Sequence, residues 1–170
     1  MYTPRLGILR SLHEEHVTAL ARLDRLAAVL AANGPGSPPD AGDAGIAKTL
    51  DDVAATLGDD ITHHFAFEEA HLFPLFAERA DPGIAEMLRQ EHEIIRPLAE
   101  RLVAIIAAAK PAGFTAESWA ELHDVGGEVA EREVFHIQKE EMGFLPALDQ
   151  MLDDAEDGPL QMAFVEMKGG

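Results

Sequence analysis

Residues 64–74 read HFAFEEAHLFP, and residues 136–146 read HIQKEEMGFLP. In both stretches a Glu-Glu pair begins four residues after the histidine, and a proline stands ten residues after it. On an α-helix, residues i and i+4 lie about 40° apart around the axis and about 6 Å apart along it. His64 therefore faces the same way as Glu68, and His136 the same way as Glu140. A neutral imidazole and a carboxylate on one face can close on a metal ion or a pair of them. The second glutamates, Glu69 and Glu141, point about 100° away, as solvated groups or as supports for the ligands.

A Glu-His pair stands upstream of each stretch: Glu15-His16 before the first and Glu91-His92 before the second. Each half of the chain reads Glu-His, helix, loop, then His-x3-Glu-Glu. Internal repetition of this kind is an architectural signal. It predicts two pseudo-equivalent helical hairpins with a site between them. The candidate ligands are His16, His64, Glu68, His92, His136 and Glu140, with one histidine on each helix. Burying four imidazoles and two carboxylates without a cation would be costly, and two cations offset that cost by ligation.

A ferritin-like site is the rival reading. It needs Glu-x-x-His on two helices, and Glu68-x-x-His71 and Glu133-x-x-His136 supply that motif. In the repeat, however, His71 aligns with Gly143 and Glu133 with Ile61, so only the His-x3-Glu register respects the repeat. His71 shares the His64 face and would lie near the outer part of the site. His13, one turn before His16, reads as an exposed histidine, with a supporting or additional-ligand role as the alternatives.

His16, His64-x3-Glu68, His92 and His136-x3-Glu140, each on its own helix, together with the Glu-Glu…Leu-Phe-Pro ending, resemble the hemerythrin-like (HHE cation-binding) domain family. The resemblance spans roughly 9–152. It implies an up-down four-helix bundle holding a non-haem diiron pair, Fe2+/Fe3+ with an oxo or hydroxo bridge. Imidazole with carboxylate leaves manganese and zinc as alternatives and disfavours magnesium and calcium. Glu68 and Glu140 would bridge the pair, and the histidines would be divided between the two metals. The family's oxygen carriers place a second histidine four residues from the first on the third helix. Here those positions are Leu88 and Arg96, and Glu140 and Glu141 stand where those carriers use Asp. The pattern is similar instead to the four-His/two-Glu branch, linked with O2 or NO sensing, peroxide chemistry and iron handling.

Composition agrees with an all-α chain of one domain over 1–170. Ala and Leu are abundant and aromatic residues make up 6%. There is no cysteine, which excludes disulfides, thiolate zinc and iron–sulfur clusters. Acidic residues outnumber basic ones 31 to 13, for a net charge of −18. Such a surface repels nucleic acid and anionic lipid. The longest apolar run, LVAIIAAA from Leu102, is too short to span a bilayer and the N-terminus has no apolar signal core. The expectation is a cytoplasmic protein without membrane or nucleic-acid partners.

In chain order the pattern predicts helices over about 4–32, 44–79, 82–110 and 116–152. The first carries an apolar set that includes Leu9, Leu12, Val17, Leu20, Leu23, Leu26 and Leu30. NGPGSPPDAGDAG, residues 33–45, reads as a mobile loop. Pro74 and Pro146, at equal offsets, predict a kink shared by both hairpins. Asp157-Gly158-Pro159 predicts the start of a short tail helix over about 159–167, outside a core of about 4–152. The functional expectation is a diiron protein that binds, senses or reacts with a small diatomic or peroxide ligand. An iron-storage, iron-donor or ligand-responsive partner-binding module is the alternative, and a zinc-stabilised structural bundle a third. No nucleophile constellation, phosphate loop or nucleotide motif designates a substrate.

Overall fold

The computed structural model describes residues 3–169. Its helices arise from a seam of core positions stepping by three and four residues, the spacing that keeps one helix face on its neighbours. In α1, Gly7–Ala32, the seam is Leu9, Leu12, His16, Ala19, Leu23, Leu26 and Leu30. In α2, residues 44–79, it begins Leu50, Val53, Leu57, Asp60, His64, Glu68. In α3, Pro82–Ala112, it runs from Ala85 through Leu88, His92, Ile95, Ala99 and Leu102. In α4, residues 116–151, it is Trp119, Leu122, Gly126, Val129, Glu133, His136 and Glu140. Val17 is therefore 53% exposed, and Ala19 takes the core position instead.

Helices α1 to α4 pack each on the next, and α4 closes against α1, giving the all-α up-down bundle. Two apolar clusters fill it. One gathers Leu9, Leu12, Phe67, Phe73, Leu88 and Phe144 at one end. The other gathers Leu26, Leu57, Leu102, Trp119 and Leu122 at the opposite end. The polar seam residues form a layer between them. Among the described residues no helix is long and apolar enough to cross a membrane.

Caps account for the helix starts. Asp43 accepts from the N–H groups of Gly45 and Ile46, Asp81 from Gly83 and Ile84, and Thr115 and Ser118 form a capping box. The loop before α2 is pinned where the Trp119 indole N–H donates to the Gly34 carbonyl at 2.9 Å. Gly113, at φ 76 and ψ 179, takes a positive-φ conformation open to glycine and ends α3.

One backbone expectation is given its form by the structure, and another, the start of the tail helix, is corrected. At the expected shared irregularity, Pro74 and Pro146 leave their helices continuous, and the departure from regular bonding takes the form of a wider turn. Each follows a π-turn, Glu68–Leu72 and Glu140–Phe144, in which the N–H of Phe73 or Leu145 reaches back to the carbonyl of Glu68 or Glu140. The wider turn accommodates a ring that would clash in a regular helix. A third π-turn, Asp60–His64, lies one turn earlier in α2 without a proline. The tail helix, α5, spans Asp154–Gly169 and so begins before Pro159. Asp153 accepts from the N–H groups of Ala155 and Glu156, and the Glu156 carboxylate accepts from the Asp153 N–H, a reciprocal cap. Asp157 serves another helix. Its carboxylate accepts from the N–H groups of Gly7 and Ile8, at 2.8 and 2.9 Å, and caps α1.

Candidate metal centre

The seam places His16, His64, His92 and His136 at one level of four different helices, all buried. Their Nε2 atoms converge in two pairs. His16 and His64 stand 3.1 Å apart, and His92 and His136 2.9 Å apart. Glu68 and Glu140 lie between the pairs at 0% exposure. Glu68 directs Oε1 to His64 and Oε2 to His92, each at 3.5 Å. Glu140 directs Oε2 to His16 and Oε1 to His136, each at 3.1 Å. The result is two adjacent donor sets, His16, His64, Glu68, Glu140 and Glu68, His92, His136, Glu140, with both carboxylates common to the two. All six residues expected from the sequence are brought together.

The donor chemistry fits cations. None of the four carboxylate oxygens of Glu68 and Glu140 has a hydrogen-bond partner. Buried carboxylates without donors are strongly disfavoured unless a positive charge faces them. Imidazole nitrogen with carboxylate oxygen, and no thiolate, is a set for divalent first-row metals.

The other ring nitrogens show how the imidazoles are aimed. Each Nδ1 meets a glutamate from a neighbouring helix. His64 meets Glu15 at 2.8 Å, His92 meets Glu69 at 3.0 Å, His136 meets Glu91 at 2.9 Å and His16 meets Glu141 at 2.7 Å. Every one of these glutamates is the chain neighbour of a ligand. A carboxylate accepting Nδ1–H leaves the Nε2 lone pair free to point inward and makes it a better donor. A cation or histidine backs each glutamate in turn. Lys168 pairs with Glu15, Arg96 with Glu69 at 2.7 Å, Lys139 with Glu91, and His13 with Glu141 at 2.8 Å. His13 thus reaches the site only through Glu141. His71 packs on Phe67 at a centroid distance of 5.1 Å and belongs to neither donor set. Phe65 stacks on His92 at 3.8 Å and forms an apolar wall.

In the metal-free protein the layer is electrostatically polarised. Burial opposes charging of every imidazole, yet Glu140 and Glu141 raise His16 to about 9. Glu68 and Glu15 raise His64, and Glu140 raises His136, against the same burial. His92 goes the other way, to about 2, through burial and the neighbouring His136 charge. Burial and Glu140 raise Glu68, while the histidines hold Glu140 well below the usual carboxylate range despite its burial. Metal binding would therefore displace protons from His16, His64 and His136 but not from His92.

Sequence reasoning left Glu15 and Glu91 without a role, although the repeated Glu-His pair was the available signal. It also left Asp60 unremarked. Asp60 and Glu133 occupy seam positions, are buried, and each carries an unpartnered oxygen.

Fold and site together define a helical-bundle cation-binding protein. The family model of the hemerythrin HHE cation binding domain matches residues 7–148, and the chain belongs to that family. No curated protein matches the chain.

Proposed function

We propose that His16, His64, His92 and His136 with bridging Glu68 and Glu140 hold two iron ions, and that the protein binds, senses or reacts with a small oxidant: O2, peroxide or NO. The observation that carries this reading is the division of each carboxylate: one oxygen faces one histidine pair and the other oxygen faces the second, with no protein group but the imidazoles directed at either. Six protein donors shared between two ions leave coordination positions open, so bound iron would supply both redox change and a place for a small ligand. The chain's own residues hold the histidine tautomers through the four outer glutamates, keep bulk water out with the apolar clusters on both sides, and wall the site with Phe65. A cytoplasmic role without nucleic-acid or membrane partners is in keeping with the net charge of −18.

The test is metal content together with an optical spectrum, taken on protein purified in air, then reduced and re-exposed to O2. Two irons per chain with near-ultraviolet bands that bleach and return are expected. Stoichiometric zinc, or no metal, overturns the assignment. Two irons that pass quickly to a chelator without oxidant turnover would support storage or donation instead.

A further inference from the structure

Eight polar residues occupy the seam: the six candidate ligands, Asp60 and Glu133. The last two are not required by the two-metal layer, and they break the internal repeat. The residue equivalent to Asp60 is Arg132, and that equivalent to Glu133 is Ile61. Asp60 is 7% exposed and Glu133 3%, and Oδ2 of the first and Oε2 of the second have no hydrogen-bond partner. Such positions ordinarily take leucine or valine, and two buried acids that feel each other's charge, each with an oxygen lacking a donor, are unfavourable unless a positive charge offsets them. Burial and the Glu133 charge push Asp60 up to about 7, against the opposing charges of His64 and His16.

Asp60 also has a route to solvent. It lines a groove of about 480 Å³ between α1, α2 and α5, together with the acids Glu14, Glu15 and Asp59 and the cations Arg22 and Lys168. At the mouth the Lys168 ammonium sits between Glu15 and Asp59, so this groove already attracts a cation. The groove between α3 and α4 is different. It also carries carboxylates, Glu91, Glu128 and Glu131, but these stand with Arg132, Lys139 and apolar Phe135, and none of them is buried without a hydrogen-bond partner. Inward from Asp60, Glu133 stands one helical turn from His136 and feels the Glu140 charge. Carboxylates thus continue from the α1/α2 mouth to the bridging glutamates.

We propose that Asp60 and Glu133 form a third, transient cation site, at which a divalent first-row ion drawn into the α1/α2 groove sheds water before it passes to the paired donor sets. The site is made of hard oxygen donors, suited to a partly hydrated Fe2+ or Mn2+. This proposal rests on the reading of the central layer as a two-metal centre.

The experiment mixes metal-free protein anaerobically with Fe2+ and follows uptake by quenching with a chromogenic chelator. It compares the wild type with Asp60→Asn, Glu133→Gln and the double variant, with Glu128→Gln on the α3/α4 groove as control. The amides preserve shape, and circular dichroism checks folding. Uptake is expected to slow at least tenfold in each seam variant and to remain unchanged in Glu128→Gln, with two ions bound at the end in every case. Titration with Mn2+ is expected to show a third, weaker equivalent in the wild type that the double variant lacks. Asp59→Asn, at the exposed mouth, should slow uptake less and weaken its dependence on ionic strength. Wild-type uptake rates in both seam variants, or loss of the final pair in them, would overturn the third site while leaving the centre in place. A wild type that takes up no pair of ions would overturn both readings.

Discussion

Replacing Glu91 isolates what an outer carboxylate contributes to the centre. The Glu91 carboxylate accepts from Nδ1 of His136 at 2.9 Å and is paired on its outer side with Lys139. His136 is 1% exposed, so in Glu91→Ala its Nδ1–H loses its only protein acceptor. An unsatisfied buried donor costs about 1–3 kcal/mol, and loss of a partner behind a metal-bound histidine typically lowers affinity by about 10–100-fold. The upper half of that range is expected here, about 2–3 kcal/mol, because the lost bond is charge-assisted. Glu91→Gln keeps a neutral acceptor in place and should lose about tenfold, or about 1.4 kcal/mol. His136 belongs to only one of the two donor sets. Chelator competition on the iron-loaded variant should therefore become biphasic, with one ion leaving at lower chelator concentration. Glu15→Ala should weaken the opposite ion through His64. A Glu91→Ala competition curve that superimposes on the wild type would refute the claim that these glutamates aim and strengthen the ligands.

His64→Ala or Glu68→Ala is expected to abolish binding of the ion pair and to lower the melting temperature of protein prepared with metal, since binding energy here is folding energy. Unchanged metal stoichiometry in both variants would contradict the ligand assignment. The metal-free protein should respond to pH through His16, whose folded value of about 9 lies above the ordinary 6.5. Its stabilisation is fully present below pH 6.5 and is lost as pH rises towards 9. Calorimetry should show the metal-free melting temperature falling across that window, whereas metal-loaded protein, whose imidazoles are already neutral, should not follow it. Phe67→Ala removes a fully buried ring from the cluster beside the layer and should cost about 3–5 kcal/mol in denaturant unfolding while two ions still bind. Asp157→Ala strips the cap from α1 and should cost about 0.5–2 kcal/mol without altering metal content.

Much of the fold could be read along single helices. The His-x3-Glu spacing places an imidazole and a carboxylate on one face by helix geometry alone, and repetition of the pattern implies two hairpins around a common site. Helix ends were legible where the cap lies next in the chain, as at Asp81-Pro82 and Thr115. They were not legible where another element supplies it. α1 begins at Gly7 because Asp157, far away in sequence, accepts from its first amides. The π-turns escaped the reading for a related reason. A proline announces that regular helical bonding must fail, but not the form the irregularity takes, which the packing around it sets.

The same division runs through the site. The sequence by itself determined the six candidate ligands, since their spacing is a property of individual helices. It could not determine what Glu15, Glu69, Glu91 and Glu141 do. Each is the chain neighbour of a ligand and so points about 100° away from it on its own helix. Its partner must come from another helix, and which one depends on the rotation and height at which the four helices pack. Only the tertiary structure sets that registration, with each glutamate holding a histidine of an adjacent helix. It likewise decided that buried Asp60 feels the charge of Glu133, because a cross-helix influence leaves no periodic trace in either segment.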